Sequence, residues 1–348
     1  MLRAWRIETD DFDQVASAFI RWDHRFEQLG PGAFRGRVAL ADLGGVQLYD
    51  AELNREVRAR GSRPPDCYTF TPVDLSNAGA VWRGRVLRPG MINVNLPGQE
   101  MDHRTTSAYR TTTLTLRRDL IERVTRVLFH RDPESLLNGD QPLAIGLDRL
   151  TAWVGRLRER LAGSNPRDSG KKPGDPGAGA DEEIVAELVR MLANSQVSQP
   201  CRITSAQRLR IVREAEEHVL ATSDRPLSIL QLCELTGVSE RSLHYAFEDV
   251  TGLSPHAYLK AIRLNRARRA LLEGDHGWGS IHIVARKYGF ERPGSFAADF
   301  QRQFGLLPSD LRRKKSFHEA NQQRFLDPSL SGSADRNRQR GKPADAES

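Results

Sequence analysis

The sequence predicts an α+β protein of two domains. The first is an N-terminal antiparallel β-barrel with flanking helices. The second is a C-terminal all-α domain of two helix-turn-helix modules joined by a linker helix. Three observations carry this. Short β-like runs broken by Gly, Pro, Asn and Asp fill residues 34–116. The last third repeats itself: Ile229, Leu232, Cys233 and Gly237 recur 52 positions on as Ile281, Val284, Ala285 and Gly289. At an offset of 53, Leu243, Phe247, Gly252 and Pro255 return as Phe296, Phe300, Gly305 and Pro308. Finally, the basic excess is local: residues 201–315 hold 19 basic against 13 acidic side chains, whereas residues 1–200 hold 28 against 27. The domains are therefore set at 1–161, sensing or dimerisation; 162–200, a flexible linker and a helix; 201–315, the repeated basic unit; and 316–348, a disordered tail.

In chain order, residues 11–28 have helical spacing, with Val15, Phe19, Ile20, Trp22 and Phe26 as an apolar stripe. RGRVAL, GVQLYD, CYTFTPV, AVWRGRVL, MINVNL and YRTTTLTL read as strands, with LPGQ and RPG as turns. Such short, closely spaced strands favour a small barrel or sandwich. Helices are expected near 117–130, 143–161 and 182–196; the last two either form a homodimer surface or pack on the barrel. Residues 162–181 are rich in Gly, Pro and Ser and carry no periodic apolar residue, which predicts flexibility.

The repeat unit has the grammar of a helix-turn-helix. Ser228 caps a short helix, Gly237 ends it where a left-handed backbone is needed, and Ser239 caps a second helix. With Leu243 and Phe247 turned inward, Glu240, Arg241, His244 and Tyr245 face outward, able to reach base edges in a major groove. In the second copy Ser280 is the expected cap, and Arg292, Ser295, Ala297, Ala298 and Arg302 face outward. Its alanines offer no hydrogen bond, so this copy is expected to rely on phosphates and thymine methyls. Between the copies, PHAYLKAIRLNRARRALLEG supplies a helix carrying Lys260, Arg263, Arg266, Arg268 and Arg269, with Arg263, Arg268 and Arg269 as candidate phosphate contacts. About 18 helical residues span roughly 27 Å, compatible with the ~34 Å between successive major-groove faces.

These residues carry a family resemblance. Residues 210–313, through TGVSERSLHYAF, GLSPHAYLKAIRLNRARRALL, SIHIVARKYGF and FGLLPSDLRRK, resemble the DNA-binding region of AraC/XylS-type bacterial transcription regulators. The resemblance implies a sequence-specific regulator, usually an activator. Its partners would be double-stranded promoter DNA and RNA polymerase, with a small-molecule effector in the N-terminal domain. It places Arg241, His244 and Tyr245, then Arg292, Gly294, Ser295, Ala297 and Ala298, where family members meet bases. Pro293-Gly294 and Ala298 depart from the polar residues common there.

The remaining signals exclude more than they assign. Cys67, Cys201 and Cys233 form no CxxC and no disulfide framework, no run of 18 apolar residues occurs, and the N-terminus lacks a secretory layout; a cytoplasmic protein is expected. A cupin-like barrel enzyme with a DNA-binding tail would need clustered His and carboxylate ligands, but only His24 and His103 precede His130, so neither catalysis, metal nor cofactor is expected. Trp82, Arg85, Asn93, Asn95, Gln99 and His103 are candidates to line a polar ligand pocket, or are merely outward strand and turn residues. A sequence-indifferent architectural DNA binder is the other alternative.

Overall fold

The computed structural model describes residues 3–137, 142–163, 180–197, 206–221, 227–273, 281–311 and 313. Most of the expected linker (164–179), the Ser280 cap and the expected tail lie outside the described residues. The N-terminal unit runs β1 (Arg3–Thr9), α1 (Phe12–Ser17), β2 (Asp23–Gln28), β3 (Gly36–Asp42), β4 (Val46–Leu53), β5 (Val57–Ser62), β6 (Cys67–Val73), β7 (Val81–Trp82), β8 (Arg85–Val86), β9 (Met91–Asn95), β10 (Glu100–Arg104), β11 (Tyr109–Arg117), α2 (Arg118–Phe129), β12 (Leu143–Ala144), α3 (Leu147–Gly163), α4 (Ala180–Ala193) and β13 (Gln196–Val197).

Two antiparallel sheets result, in the orders β1-β3-β4-β11-β6-β9-β12-β13 and β2-β5-β10-β7-β8. All six expected strands form, AVWRGRVL as the small hairpin β7–β8. The two-domain α+β layout holds, but the sheets face each other without closing into a barrel. The outer face of the larger sheet (Tyr68, Phe70, Leu114 and Leu116) is covered by α2, α3 and α4 through Leu120, Trp153, Leu157, Ile184 and Leu188. The apolar stripes of α3 and α4 are thus used within the chain.

The helix expected over 11–28 is a correction. Only Phe12–Ser17 is helical, capped by the Asp11 carboxylate accepting from the Asp13 amide. The chain reverses through Arg21 (φ 68°), and the rest pairs with β5 as β2. His24 and Phe26 alternate with Arg25 and Glu27, a period of two hidden inside an apolar spacing that looked helical.

The C-terminal unit is α5 (Ala206–Ala221), α6 (Ile229–Thr236), α7 (Glu240–Thr251), α8 (Pro255–Glu273), α9 (Ile281–Lys287) and α10 (Pro293–Phe304). Ser228 and Gln231 form a reciprocal capping box on α6, and Gly237 terminates it at φ 65°. Ser239 caps α7 by accepting from the Ser242 amide. The repeated positions are the core of each module: Leu232, Leu243 and Phe247 with Tyr258 and Val212 in the first, Val284, Ala285, Phe296 and Phe300 with Leu264 in the second.

The second core runs without a break into the N-terminal unit, where Phe304 stacks on Phe12 at 6.3 Å. Polar contacts fix the docking. The Asn265 side chain pairs with the backbone of Gln28 (3.1 and 3.0 Å), and Gln303 donates back to the Gln28 carbonyl (2.9 Å). Gly305, left-handed at φ 75°, lets the end of α10 press on Ala33; a Cβ there would stand 2.6 Å from the Ala33 backbone nitrogen.

Candidate nucleic-acid interface and buried cavity

Each reader helix presents its N-terminal half to solvent and docks its C-terminal end on the N-terminal unit, since Gly252 abuts Arg104 as Gly305 abuts Ala33. On α7, Glu240 and Arg241 are exposed, His244 is half-buried and Tyr245 is 46% exposed. Arg241 Nη2 donates to the Tyr245 hydroxyl (3.2 Å), with its guanidinium 5.5 Å from that ring. The two are one turn apart, so a planar donor fork is already oriented on the open face. On α10, Arg292, Ser295 and Ala298 are exposed, but the Ser295 hydroxyl is spent on the Arg292 carbonyl (2.8 Å). Arg302 is exposed and pairs with Asp299 (3.0 Å), which also holds Lys260 (2.6 Å). Two cations on one acid lower the free charge of this second face.

The linker helix corrects the candidate phosphate contacts. Arg268 is only 4% exposed and is gripped by Asp11 and Asp13 (2.6 Å each), its guanidinium 4.1 Å from the Phe12 ring. Arg269 bonds to Asp13 and to the Phe26 carbonyl. Both face the β-domain, not a groove. Arg263 is half-buried over Phe290 with its Nε on the Leu259 carbonyl, and burial lowers its pKa. A phosphate contact carries about one unit of salt slope. Arg268→Ala is therefore expected to leave the salt dependence of DNA binding unchanged while lowering the unfolding midpoint; titrations across salt concentrations check this.

Strands β2, β5 and β10 have two working faces because side chains alternate. Arg60 and Asp102 are cross-strand partners, as are Ala59 and His103. One face meets the C-terminal unit. There Arg58, 1% exposed, binds Asp102 through two 2.9 Å bonds and also holds Glu216 and the Tyr258 hydroxyl of α5 and α8. Arg60 reaches Glu216 at 2.7 Å. Burial alone would lower the Arg58 pKa, but the surrounding Glu216, Tyr258 and Asp102 outweigh it and raise it.

The opposite face, with β4, β9 and β11, encloses a cavity of about 60 Å³ between the sheets. Asn93 and His103 line it, as expected. Trp82 and Asn95 are buried outside it, bonded to each other (Nε1 to Oδ1, 2.9 Å), Arg85 lies on β8 away from it, and Gln99 is not on its lining; these four are corrected as lining residues. Sequence reasoning missed Phe19, Trp22, His24, Arg63 and Tyr109. The signal was present for Arg63, which shares a face with Ala59 and Gly61 by the two-residue period. Burial and the Arg63 charge push His24 down to about 3 and His103 down to about 4, so both are neutral. Among the described residues no cluster of three or more His, Cys, Asp or Glu could hold a metal, and no helix is long and apolar enough to cross a membrane.

Comparison with known proteins agrees with both halves. Residues 232–314 match a helix-turn-helix domain model, and residues 13–170 match an AraC-binding-like domain model. A solved structure titled a probable AraC family transcriptional regulator, from Rhodopseudomonas palustris, is 35% identical and is covered over 97% of its length, which is 30% of this chain (TM-score 0.29). On the two domain models, over residues 13–170 and 232–314, the chain belongs to the AraC family of transcription regulators. Within the family it is 38% identical over 103 residues to the probable thc operon regulatory protein of Rhodococcus erythropolis, covering 29% of this chain and 31% of that one. It is 32% identical over 146 residues to XylDLEGF operon transcriptional activator 1 of Pseudomonas putida, covering 42% and 41%. The chain thus spans less than half the length of these curated relatives.

Proposed function

We propose that this AraC-family chain is a transcription activator. It binds an asymmetric promoter site through α7 and α10 and takes a small-molecule effector in the cavity between its sheets. Double-stranded DNA is its direct partner. RNA polymerase and a second copy of the chain are partners carried over from the family. The supporting observation is the two-faced arrangement of β5 and β10, in which Ala59 and His103 line the cavity while Arg58 and Asp102 hold the DNA-binding unit. A ligand that displaces the cavity residues shifts the same strands that carry the docking network, and any difference in affinity between docked and undocked states becomes a change in DNA binding.

Selection of bound sequences from a random DNA pool, with the full chain at physiological salt, tests this. The expected result is an asymmetric motif of two short blocks about one helical turn apart, with stronger information in the block read by α7. Uniform affinity for all sequences, with only the phosphate-driven salt dependence, would support the architectural reading instead.

A further inference from the structure

We infer that the cavity between the sheets is a site for a small monocarboxylate, whose carboxylate is taken by Arg63 and whose apolar body lies against Phe19 and Phe26. This rests on reading the cavity as the effector site and deepens it. Arg63 is 6% exposed and lines the cavity, yet its Nε and Nη1 find no hydrogen-bond partner. No aspartate or glutamate is among the lining residues. The other large arginines of these strands, Arg58 and Arg60, each hold a carboxylate on the opposite face. Among the described residues Arg63 has no acid beside it; the Trp22 ring lies 3.9 Å from its guanidinium, and Tyr109 is its other neighbour of opposite polarity.

A ring face offsets only part of the cost of burying an unpaired cation. Burial accordingly pushes the Arg63 guanidinium down to about 9. The cavity lacks the anion this charge needs. A guanidinium fork matches a carboxylate in plane and spacing, and the pair is strong where water is excluded. Five further buried polar atoms of the lining residues lack a hydrogen-bond partner: Trp22 Nε1, both ring nitrogens of His24, Asn93 Oδ1 and His103 Nε2. His103 is neutral, so it can donate to or accept from the ligand without adding charge.

Size narrows the class. A cavity of about 60 Å³ has room for several waters or a carboxylate with a few carbons. A dianion would leave one charge unmatched, since Arg63 is the one cation on the lining.

The test uses the full chain and compares straight-chain carboxylates, from acetate to octanoate, with the amides of the same chain lengths. Thermal unfolding and calorimetry read binding, and promoter titration reads its consequence. At least one carboxylate should raise the unfolding midpoint, binding about tenfold or more tightly than its amide. Arg63→Gln should abolish that preference. It should also leave the ligand-free protein as stable as the native one or more so, because it removes an unpaired buried charge; a purely structural arginine would give the opposite. Equal binding of amide and carboxylate, no stabilisation by any carboxylate in the series, or a ligand-free Arg63→Gln protein that is markedly less stable each overturns the proposal. Carboxylate binding that leaves promoter affinity untouched keeps the anion site and removes the effector reading. Amides that bind alone and alter promoter affinity do the reverse.

Discussion

Arg58→Ala is expected to destabilise the chain by about 3–5 kcal/mol, read as a lower urea midpoint. The guanidinium is the shared counterion of Asp102 on β10 and Glu216 on α5, and both acids are nearly as buried as it is. Truncation leaves the Asp102 carboxylate without its hydrogen-bonded counterion in a dry interface, while Glu216 keeps only Arg60 and the Tyr258 hydroxyl. The pH dependence gives the effect a signature. Burial alone would raise the Asp102 carboxyl, but Arg58, together with the Arg60 and Arg213 charges, outweighs it and holds the group below its ordinary 3.8. In the native chain this stability is fully present above that value and is lost as pH falls through the lower folded one. In the variant only the Arg60 and Arg213 charges still oppose burial, so the downward shift is weakened and the stability gap between variant and native chain should narrow as pH falls. A gap independent of pH would place the loss in packing instead.

Arg241→Ala is expected to weaken binding to the selected site by about 1–3 kcal/mol, roughly 5- to 150-fold, and to relax the preference at one or two base pairs of the first block. The Tyr245 contact already holds the guanidinium over the open face of α7, so little of its ordering is left to the moment of binding. Tyr245→Phe removes the hydroxyl bond and keeps the ring, and should cost less. Gel-shift titrations of both variants on the selected motif and on scrambled DNA decide the matter. Equal weakening by Arg241→Ala on every sequence would make the residue a phosphate contact.

The helix-turn-helix pair was legible because its determinants are local. Ser228 and Ser239 cap within three residues, Gly237 and Gly305 take a backbone that other residues resist, and Leu243 and Phe247 are one turn apart. The six strands of the larger pattern were legible for the same reason, as alternation shows within a short window. β2, β5 and β10 were not. VRARGS and EMDHR carry Arg58 and Asp102 on a face that the DNA-binding unit largely covers, so a rule that equates charge with exposure passes over them.

The roles of the arginines divide in the same way. Sequence by itself determined the modules, their caps, the basic linker helix and the outward face of α7, since each depends on neighbours a few residues away. Only the tertiary structure decided that Arg268 meets Asp13, 255 residues distant, that Arg58 meets Glu216, 158 residues distant, and that Arg63 meets no acid among the described residues. A side chain's charge is a local property, but the partner that gives it a function is set by which surfaces the fold brings together.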